Sequence, residues 1–537
     1  MIGSVTARLQ PRLANLTTNF TTDAAAQPAG EPAPLRLGRS ILLGLVATLS
    51  MAGGAMYGGK SFETHLPGAW FFGMPGGLLG SFGTDAAHPP IGSLIAVYGG
   101  LILLIRTWVG LLRYLRHNHG VPIRKIIIVV AIWAVPFLLA PPTGGGDVYS
   151  YAGQGEMVSH HINPYDYGTG VLGSTPFSSM PASIWTNTPS PYGPTFLALD
   201  GELTAVSGHK ILPDIMLLRL LEVAGLALVI AATPTLARAL RRDPAEAILL
   251  GVGSPVVLTS IISGAHNDAL MIGLLMAGLA LAQRVGTVPG LILCALAAGV
   301  KAPAVLGILF LGWVWAGPGA SVRRRVGHTL GAIAIGLCAF EVVTLVAGLG
   351  WGWVRNSTAA DKAFTFVTPI GGVSRLVSWV AHAVDIQVSA IGVRDVLAVV
   401  GLVIAGIIGA WLLWRSPRDG VTRNLGLTLL VLAILSPILW AWYVTWGLLV
   451  LAAVASGRLR TALIVIAAVE TFFDLAAVRG ILVGIGQAGV LEDIVLAAAL
   501  VAIAIVPLNQ MRTTRRRRRD STPSPGGRPL AGSTAIA

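Results

Sequence analysis

Residues 141–194 hold the densest group of side chains in this chain that could do chemistry. They open PPTGGGDVYSYAGQGEMVSHHINPYDYG and close WTNTPSPYGP. Asp147 follows three glycines. Tyr149, Tyr151, Glu156, His160, His161, Asn163, Tyr165 and Asp166 come next, then Trp185, Ser190 and Tyr192. A carboxylate among hydroxyls and aromatic rings suits a general base acting on a hydroxyl. Asp147 equally suits the N-cap of a short helix over VYSYAGQGEMV, where its carboxylate would accept orphan backbone N–H bonds. Pro and Gly break regular structure at both ends of the stretch. A long polar loop between apolar runs is more often functional than filler.

Three further places carry polar groups in apolar surroundings. His266, Asn267 and Asp268 lie in GAHNDA at the start of an apolar run. They read either as a helix cap or as a cluster for sugar hydroxyls or a phosphate, and their spacing matches no metal motif. Lys301, in GVKAPA, sits where two short apolar runs meet. It is either a lysine snorkelling from a helix end or a cation paired with an anionic lipid headgroup. Arg355 offers the same charge from a loop. Trp351, Trp353, Trp440, Trp442 and Tyr443 fit an interfacial aromatic belt, and one or two could instead stack on a sugar ring. Glu341 and Glu470 fall within apolar runs, where a carboxyl is costly. Arg219 and Glu222, three apart on a helical pattern, are expected to pair with each other.

The elements that must position these groups follow from composition. The 537 residues are 54% hydrophobic and 11% charged, with a net charge of +13, and the mean hydropathy is +0.74. Soluble domains carry about 25% charged residues, so a soluble globule is excluded. A backbone in lipid must be helical or a closed barrel. Long continuous apolar runs such as 396–413 choose helices. The Arg clusters sit between apolar runs and in the tail, so they read as topology signals rather than a nucleic-acid surface. Cys294 and Cys338 both lie in apolar runs and support neither a disulfide framework nor a thiolate metal site. The first apolar run starts only near Ile41, so a cleaved signal peptide is not expected.

The expected fold is all-α, a polytopic transmembrane bundle of about 14 spans. Residues 195–206 are too short to cross and read as an interfacial or re-entrant helix. Two short spans pivot on Lys301, and the segment from about 350 to 395 reads as an outer loop. One alternation of spans puts every basic cluster on the cytoplasmic side. The same alternation puts Asp147, His266, Asn267, Asp268, Lys301, Arg355 and 440–443 on the outer side.

At these residues a family resemblance appears. GDVYSY, INPYDYG, TPSPYGP, GAHNDA, GVKAPA and SP-x4-WY occur in that order. The ordered set, over roughly residues 40–507, resembles the actinobacterial polyprenyl-phosphomannose-dependent α-1,6-mannosyltransferases of the C-type integral-membrane glycosyltransferase fold. The resemblance implies a plasma-membrane enzyme with its active site on the extracytoplasmic face. The donor would be polyprenyl-phosphate mannose and the acceptor a mannan on a phosphatidylinositol anchor, with inversion and with no cofactor or metal required. It assigns catalysis to Asp147. Donor binding is expected at Lys301, His266, Asn267, Asp268 and Arg355. Tyr149, Tyr151, Glu156, Asn163, Tyr165, Tyr192, Trp440 and Tyr443 are expected to line the acceptor. The expected organisation is a disordered cytoplasmic arm (1–35), a transmembrane glycosyltransferase domain (36–510) and a basic cytoplasmic tail (511–537). Two competing readings are a polyprenyl-phosphate-arabinose transferase and a lipid-linked sugar flippase. A transporter often shows internal repeats and ionisable groups at midplane. This chain shows no repeat and gathers its polar groups toward one surface.

Overall fold

A computed structural model describes residues 33–58, 90–143, 146–357, 369–417 and 420–475. The expected tail, the last expected span (about 485–507), the 59–89 loop and nearly all of the arm lie outside the described residues. The chain divides into two units, Met1–Arg39 and Ser40–Ala537. Of the first, only the opening turns of a helix are described.

The described residues form helices and no strand. The order is α1 (Ala33–Gly58), α2 (Ile91–His117), α3 (Ile123–Leu139), α4 (Asp147–Ser159), α5 (Pro194–Val206), α6 (Ile211–Ala239) and α7 (Pro244–Gly251). A π-helix, Val257–Ser263, follows. Then come α8 (Asp268–Arg284), α9 (Thr287–Ala298), α10 (Val305–Trp315), α11 (Val322–Ala347), α12 (Pro369–Ala383), α13 (Ala390–Trp414), α14 (Val421–Leu435), α15 (Val444–Ala452) and α16 (Gly457–Asp474).

Five of the described helices are long and apolar enough to cross a membrane. These are Arg36–Gly58 within α1, then α2, α6, α11 and α13. The π-helix and α8 add a sixth if their bent pair is one span; they meet at 108°. Much of the remaining apolar sequence forms half-length helices, among them α9, α14 and the segments Ala302–Trp315 and Ala441–Ala452. Broken helices are tolerated at membrane depth where the freed backbone is buried in protein. The short helix expected over 195–206 is α5, which packs along α4. The segment expected as loop before residue 395 contains α12. Gly371 and Gly372 hid it, although Ile370, Val373, Leu376, Val377 and Val380 recur at helical spacing and Pro369 opens it.

Two close approaches fix the centre. A Cβ on Gly225 of α6 would lie 2.5 Å from the Ala269 carbonyl carbon and the Leu270 nitrogen, and one on Gly273 of α8 would lie 2.2 Å from the Gly225 oxygen. Small residues at such a crossing let two apolar helices touch backbone to backbone, which is how helices gain packing energy in lipid. Glu222, one turn before Gly225, accepts a hydrogen bond from the Leu270 N–H at 3.1 Å. It satisfies one of the donors that the first turn of α8 leaves unpaired. The carboxylate expected to pair with Arg219 is thus turned to a backbone donor. The two side chains also reach different helix ends: Glu222 the start of α8, and Arg219 the ends of α3 and the π-helix.

Candidate functional site

The site begins with Arg219. This arginine of α6 is only 1% exposed. Its guanidinium donates to the carbonyls of Leu138 and Ala140 at 2.9 and 2.7 Å, and to that of Ser263 at 2.8 Å. The first two are C-terminal carbonyls at the exit of α3; the third ends the π-helix. One planar donor fork thus holds together the strands of chain leading to Asp147 and to His266. The Thr143 and Ser263 hydroxyls join the same two segments at 2.6 Å.

Asp147 is the first residue of α4, and its N-cap position belongs to Gly146. The aspartate is not the cap residue, and its carboxylate turns toward the neighbouring corner. Its Oδ2 lies 3.8 Å from His266 Nε2. That corner is shaped by Ala265, whose left-handed φ of 55° turns the chain between the π-helix and α8. His266 Nδ1 meets the Ser260 carbonyl at 2.6 Å. A carbonyl can only accept, so Nδ1 carries a proton and Nε2 is the nitrogen presented to Asp147. Asn267, at the N-cap position of α8, makes no side-chain cap bond. Neither of its amide atoms has a hydrogen-bond partner among the described residues.

Aromatic rings floor this corner. His266 stacks on Trp442 with centroids 3.7 Å apart, and Trp442 stacks on Trp440 at 4.9 Å. Tyr443 stacks on Trp446 at 4.4 Å. Lys301 reaches in from the α9–α10 pivot and places Nζ 2.9 Å from both oxygens of the fully buried Asp268. The Trp446 indole also donates to Asp268. The ammonium lies 4.9 Å from the Tyr443 ring centroid and 5.9 Å from that of Tyr192.

The TPSPYGP closure docks on that same pivot. The Thr195 N–H donates to the Gly299 carbonyl at 2.9 Å, and a Cβ on Gly193 would stand 2.3 Å from that carbonyl oxygen. Glycine at 193 therefore lets Tyr192 approach Lys301. Tyr192 packs edge-on against Tyr151 at 5.1 Å, and both touch Phe196. Burial holds the Tyr151 phenol well above the usual tyrosine range, with Tyr192 and the carboxylates of Asp147 and Asp268 pushing the same way. Burial does the same for Tyr192, and the charge of Asp147 adds to it. Both therefore stay neutral hydroxyls that can donate.

Asp147, Tyr151, Tyr192, His266, Asp268, Lys301, Trp440 and Tyr443 are thus brought together, with Asn267 between His266 and Asp268. Other expected site residues find partners elsewhere. Arg355 pairs with Asp166 at 2.9 Å and donates to the Tyr165 carbonyl. Asn163 donates to the Leu349 carbonyl at 3.3 Å and accepts from the Tyr165 N–H. These contacts fasten the 163–166 turn to the 349–356 turn. Tyr165 is buried there, and burial raises its phenol. Tyr149 is fully buried, within electrostatic reach of Arg219. Glu156 lies at the opposite end of α4 from Asp147, between two histidines. Glu341 accepts from the Trp351 indole at 2.8 Å, an ordinary partner for a carboxyl near a helix end.

Trp446 and the placing role of Arg219 escaped the sequence reading. Trp446 follows Tyr443 by three residues, a helical spacing that puts both on one face. Arg219 gave no local signal, since its partners are backbone carbonyls far away in the chain.

The arrangement combines a partly exposed carboxylate, a cation, unpartnered amide atoms and an aromatic floor. Residues 41–317 match the family model described as alpha-(1->6)-mannopyranosyltransferase, N-terminal domain. Residues 367–507 match the model described as MptB C-terminal domain. The chain is 32% identical over 385 residues to alpha-(1->6)-mannopyranosyltransferase A of Mycobacterium tuberculosis, covering 69% of this chain and 73% of that protein. It is 27% identical to a probable alpha-(1->6)-mannopyranosyltransferase of Mycolicibacterium smegmatis, with 94% of each chain covered. It is 27% identical to alpha-(1->6)-mannopyranosyltransferase A of Corynebacterium glutamicum, over 68% of this chain and 81% of that one. With half of its length under one family model and such relatives, the chain belongs to the actinobacterial α-1,6-mannosyltransferases, a family of glycosyltransferases.

Proposed function

We propose that this enzyme takes mannose from polyprenyl-phosphate mannose and adds it to a phosphatidylinositol-anchored mannan, of the lipomannan and lipoarabinomannan type. The reaction takes place at the outer face of the plasma membrane. The observation that carries the reading is the meeting of Asp147, His266, Asp268 and Lys301 in one aromatic-floored corner. The transmembrane domain is 36–510, a C-type architecture of about 14 spans, with the positive-inside pattern supporting the outer face.

In this reading an acceptor hydroxyl attacks the anomeric carbon of the lipid-linked mannose. Asp147 takes the hydroxyl proton as the new C–O bond forms. The bond from the anomeric carbon to the phosphate oxygen breaks, and the polyprenyl phosphate leaves as a stable anion. Direct displacement on a β-linked donor yields the α-mannoside with inversion and uses no second carboxylate nucleophile. Lys301 supplies the cation at the level of the departing phosphate. His266 Nε2 stands beside the Asp147 carboxylate, 3.8 Å from Oδ2, within reach of the same sugar hydroxyls. The amide of Asn267 can bond sugar hydroxyls in both directions. Trp440 and Tyr443 offer flat faces to sugar rings.

The test is transfer by the purified enzyme from defined polyprenyl-phosphate mannose or arabinose to short α-mannosides, with the product linkage read by NMR. An α-1,6-mannoside formed from the mannosyl donor alone is expected. Comparable use of the arabinosyl donor would overturn the donor assignment.

A further inference from the structure

The far end of α4 carries a second polar cluster. Glu156 Oε1 lies 3.1 Å from His160 Nε2, and Glu156 Oε2 lies 2.8 Å from His209 Nδ1. The two imidazoles stack with centroids 5.2 Å apart. One carboxylate oxygen and one nitrogen of each ring all fall within 4.8 Å of one another. Two local features create this. Glu156 and His160 are one helical turn apart at the end of α4. His209 is held at φ 57° in the turn between α5 and α6, after Gly208 at φ 66°.

An independent observation lies just behind. Asp200 of α5 and Asp214 of α6 are both fully buried. Asp214 accepts from the Thr204 hydroxyl at 3.1 Å. Both oxygens of Asp200, and Oδ1 of Asp214, have no hydrogen-bond partner among the described residues. A Cβ on Gly155, the residue before Glu156, would stand 2.7 Å from Asp200 Oδ1. Asp214 is within electrostatic reach of both Glu156 and His209. Three carboxyl groups therefore gather around two imidazoles. Lys210, beside His209 in sequence, is exposed and pairs with none of them. Buried carboxyl groups so poor in donors either stay neutral or draw positive charge to them.

We propose that Glu156, His160 and His209 bind a divalent transition-metal cation of the zinc class, joining the end of α4 to the α5–α6 turn. Two imidazole nitrogens and a carboxylate oxygen form a donor set suited to Zn²⁺. Bonds of about 2.0–2.1 Å in a tetrahedral site put ligand atoms roughly 3.3 Å apart, so the three donor atoms, now within 4.8 Å of one another, would draw together on binding. The fourth position falls to water. Asp147 is nine residues away along α4, about 13 Å of helical rise. The cation stands apart from the reacting groups. It fastens the helix whose first residue is Asp147.

The experiment uses the full chain, purified in detergent without a polyhistidine tag, stripped with EDTA and dialysed against Zn²⁺ or metal-free buffer. Mass spectrometry of bound metal should find about one zinc per chain, and the thermal midpoint should rise with zinc as mass action requires. The H160Q/H209Q variant should lose both effects and unfold in EDTA like the wild type. E156Q keeps a hydrogen-bonding side chain between the rings but should hold zinc at least tenfold more weakly. The visible d–d bands of Co²⁺ bound in place of zinc give a readout independent of stability, which serves if the double variant folds poorly. Zinc content no higher than in a blank overturns the proposal. So does equal zinc or cobalt binding by wild type, E156Q and H160Q/H209Q, which would leave a hydrogen-bonded His–Glu–His cluster only.

Discussion

Replacing Lys301 by methionine keeps most of the side chain over Tyr443 and removes the charge. The ammonium is bonded to both oxygens of Asp268 at 2.9 Å, with Asp268 fully buried and Lys301 only 13% exposed. Breaking a buried pair by deleting one partner leaves an uncompensated charge, at a cost of about 3–5 kcal/mol. Loss of the cation–π contact with Tyr443, 4.9 Å away, adds about 0.5–1 kcal/mol. Among the described residues, the Trp446 indole would remain on Asp268. Lys301→Met should therefore unfold several degrees earlier in detergent. Asp268→Asn should cost less, about 1–3 kcal/mol, because the freed lysine can reach water. The double variant should recover most of the stability lost in Lys301→Met, since it removes both charges. Donor use should not recover with it: the donor KM should stay high in the double variant if Lys301 also faces the lipid phosphate. The assay is a double-mutant cycle of thermal unfolding, run beside steady-state kinetics with varied donor. A Lys301→Met protein as stable as wild type would refute the buried-pair argument. A double variant with wild-type donor kinetics would confine Lys301 to placing Asp268.

Asp147→Asn should leave folding and donor binding intact while lowering kcat by about 10²–10⁴-fold, and turnover within about tenfold of wild type would remove Asp147 as the base. Arg219→Gln removes most of the fork that joins α3 to the π-helix, so kcat should fall while a label on Cys338 at the exposed face of α11 reports an unchanged bundle; full activity would remove Arg219 from the positioning of the site. Gly273→Val drives a side chain into the Gly225 carbonyl and should destabilise by about 1–3 kcal/mol or more, measured by thermal unfolding. A cysteine label at Gly170 should react from outside the cell and one at Gly420 only after permeabilisation; the reverse pattern would dissolve the common-face argument.

Composition pointed to a membrane protein, because a chain with 11% charged residues cannot cover a soluble surface, and long continuous apolar runs made it helical. Motif order pointed to the transferase family, and residue chemistry selected Asp147, His266, Asp268, Lys301, Tyr151, Tyr192, Trp440 and Tyr443 before any contact was known. These are polar or aromatic groups in an apolar chain, so their cost makes them visible one at a time. What the sequence could not show is partnership. Arg355 and Lys301 look alike along the chain, yet one is paired with Asp166 on the surface and the other is committed to a buried carboxylate. Glu156 and Asp147 share a helix and face different neighbours at its two ends. Arg219 and Glu222 have the spacing of an ion pair, but backbone donors and acceptors at broken helix ends claim them separately. Bends within spans are hidden for the same reason: hydropathy records how apolar a run is, whereas the 108° bend after the π-helix depends on Ala265, Arg219 and the Gly225–Gly273 crossing. Local cost is written in each residue type. The choice of partner is a long-range decision, reached only when the helices have packed.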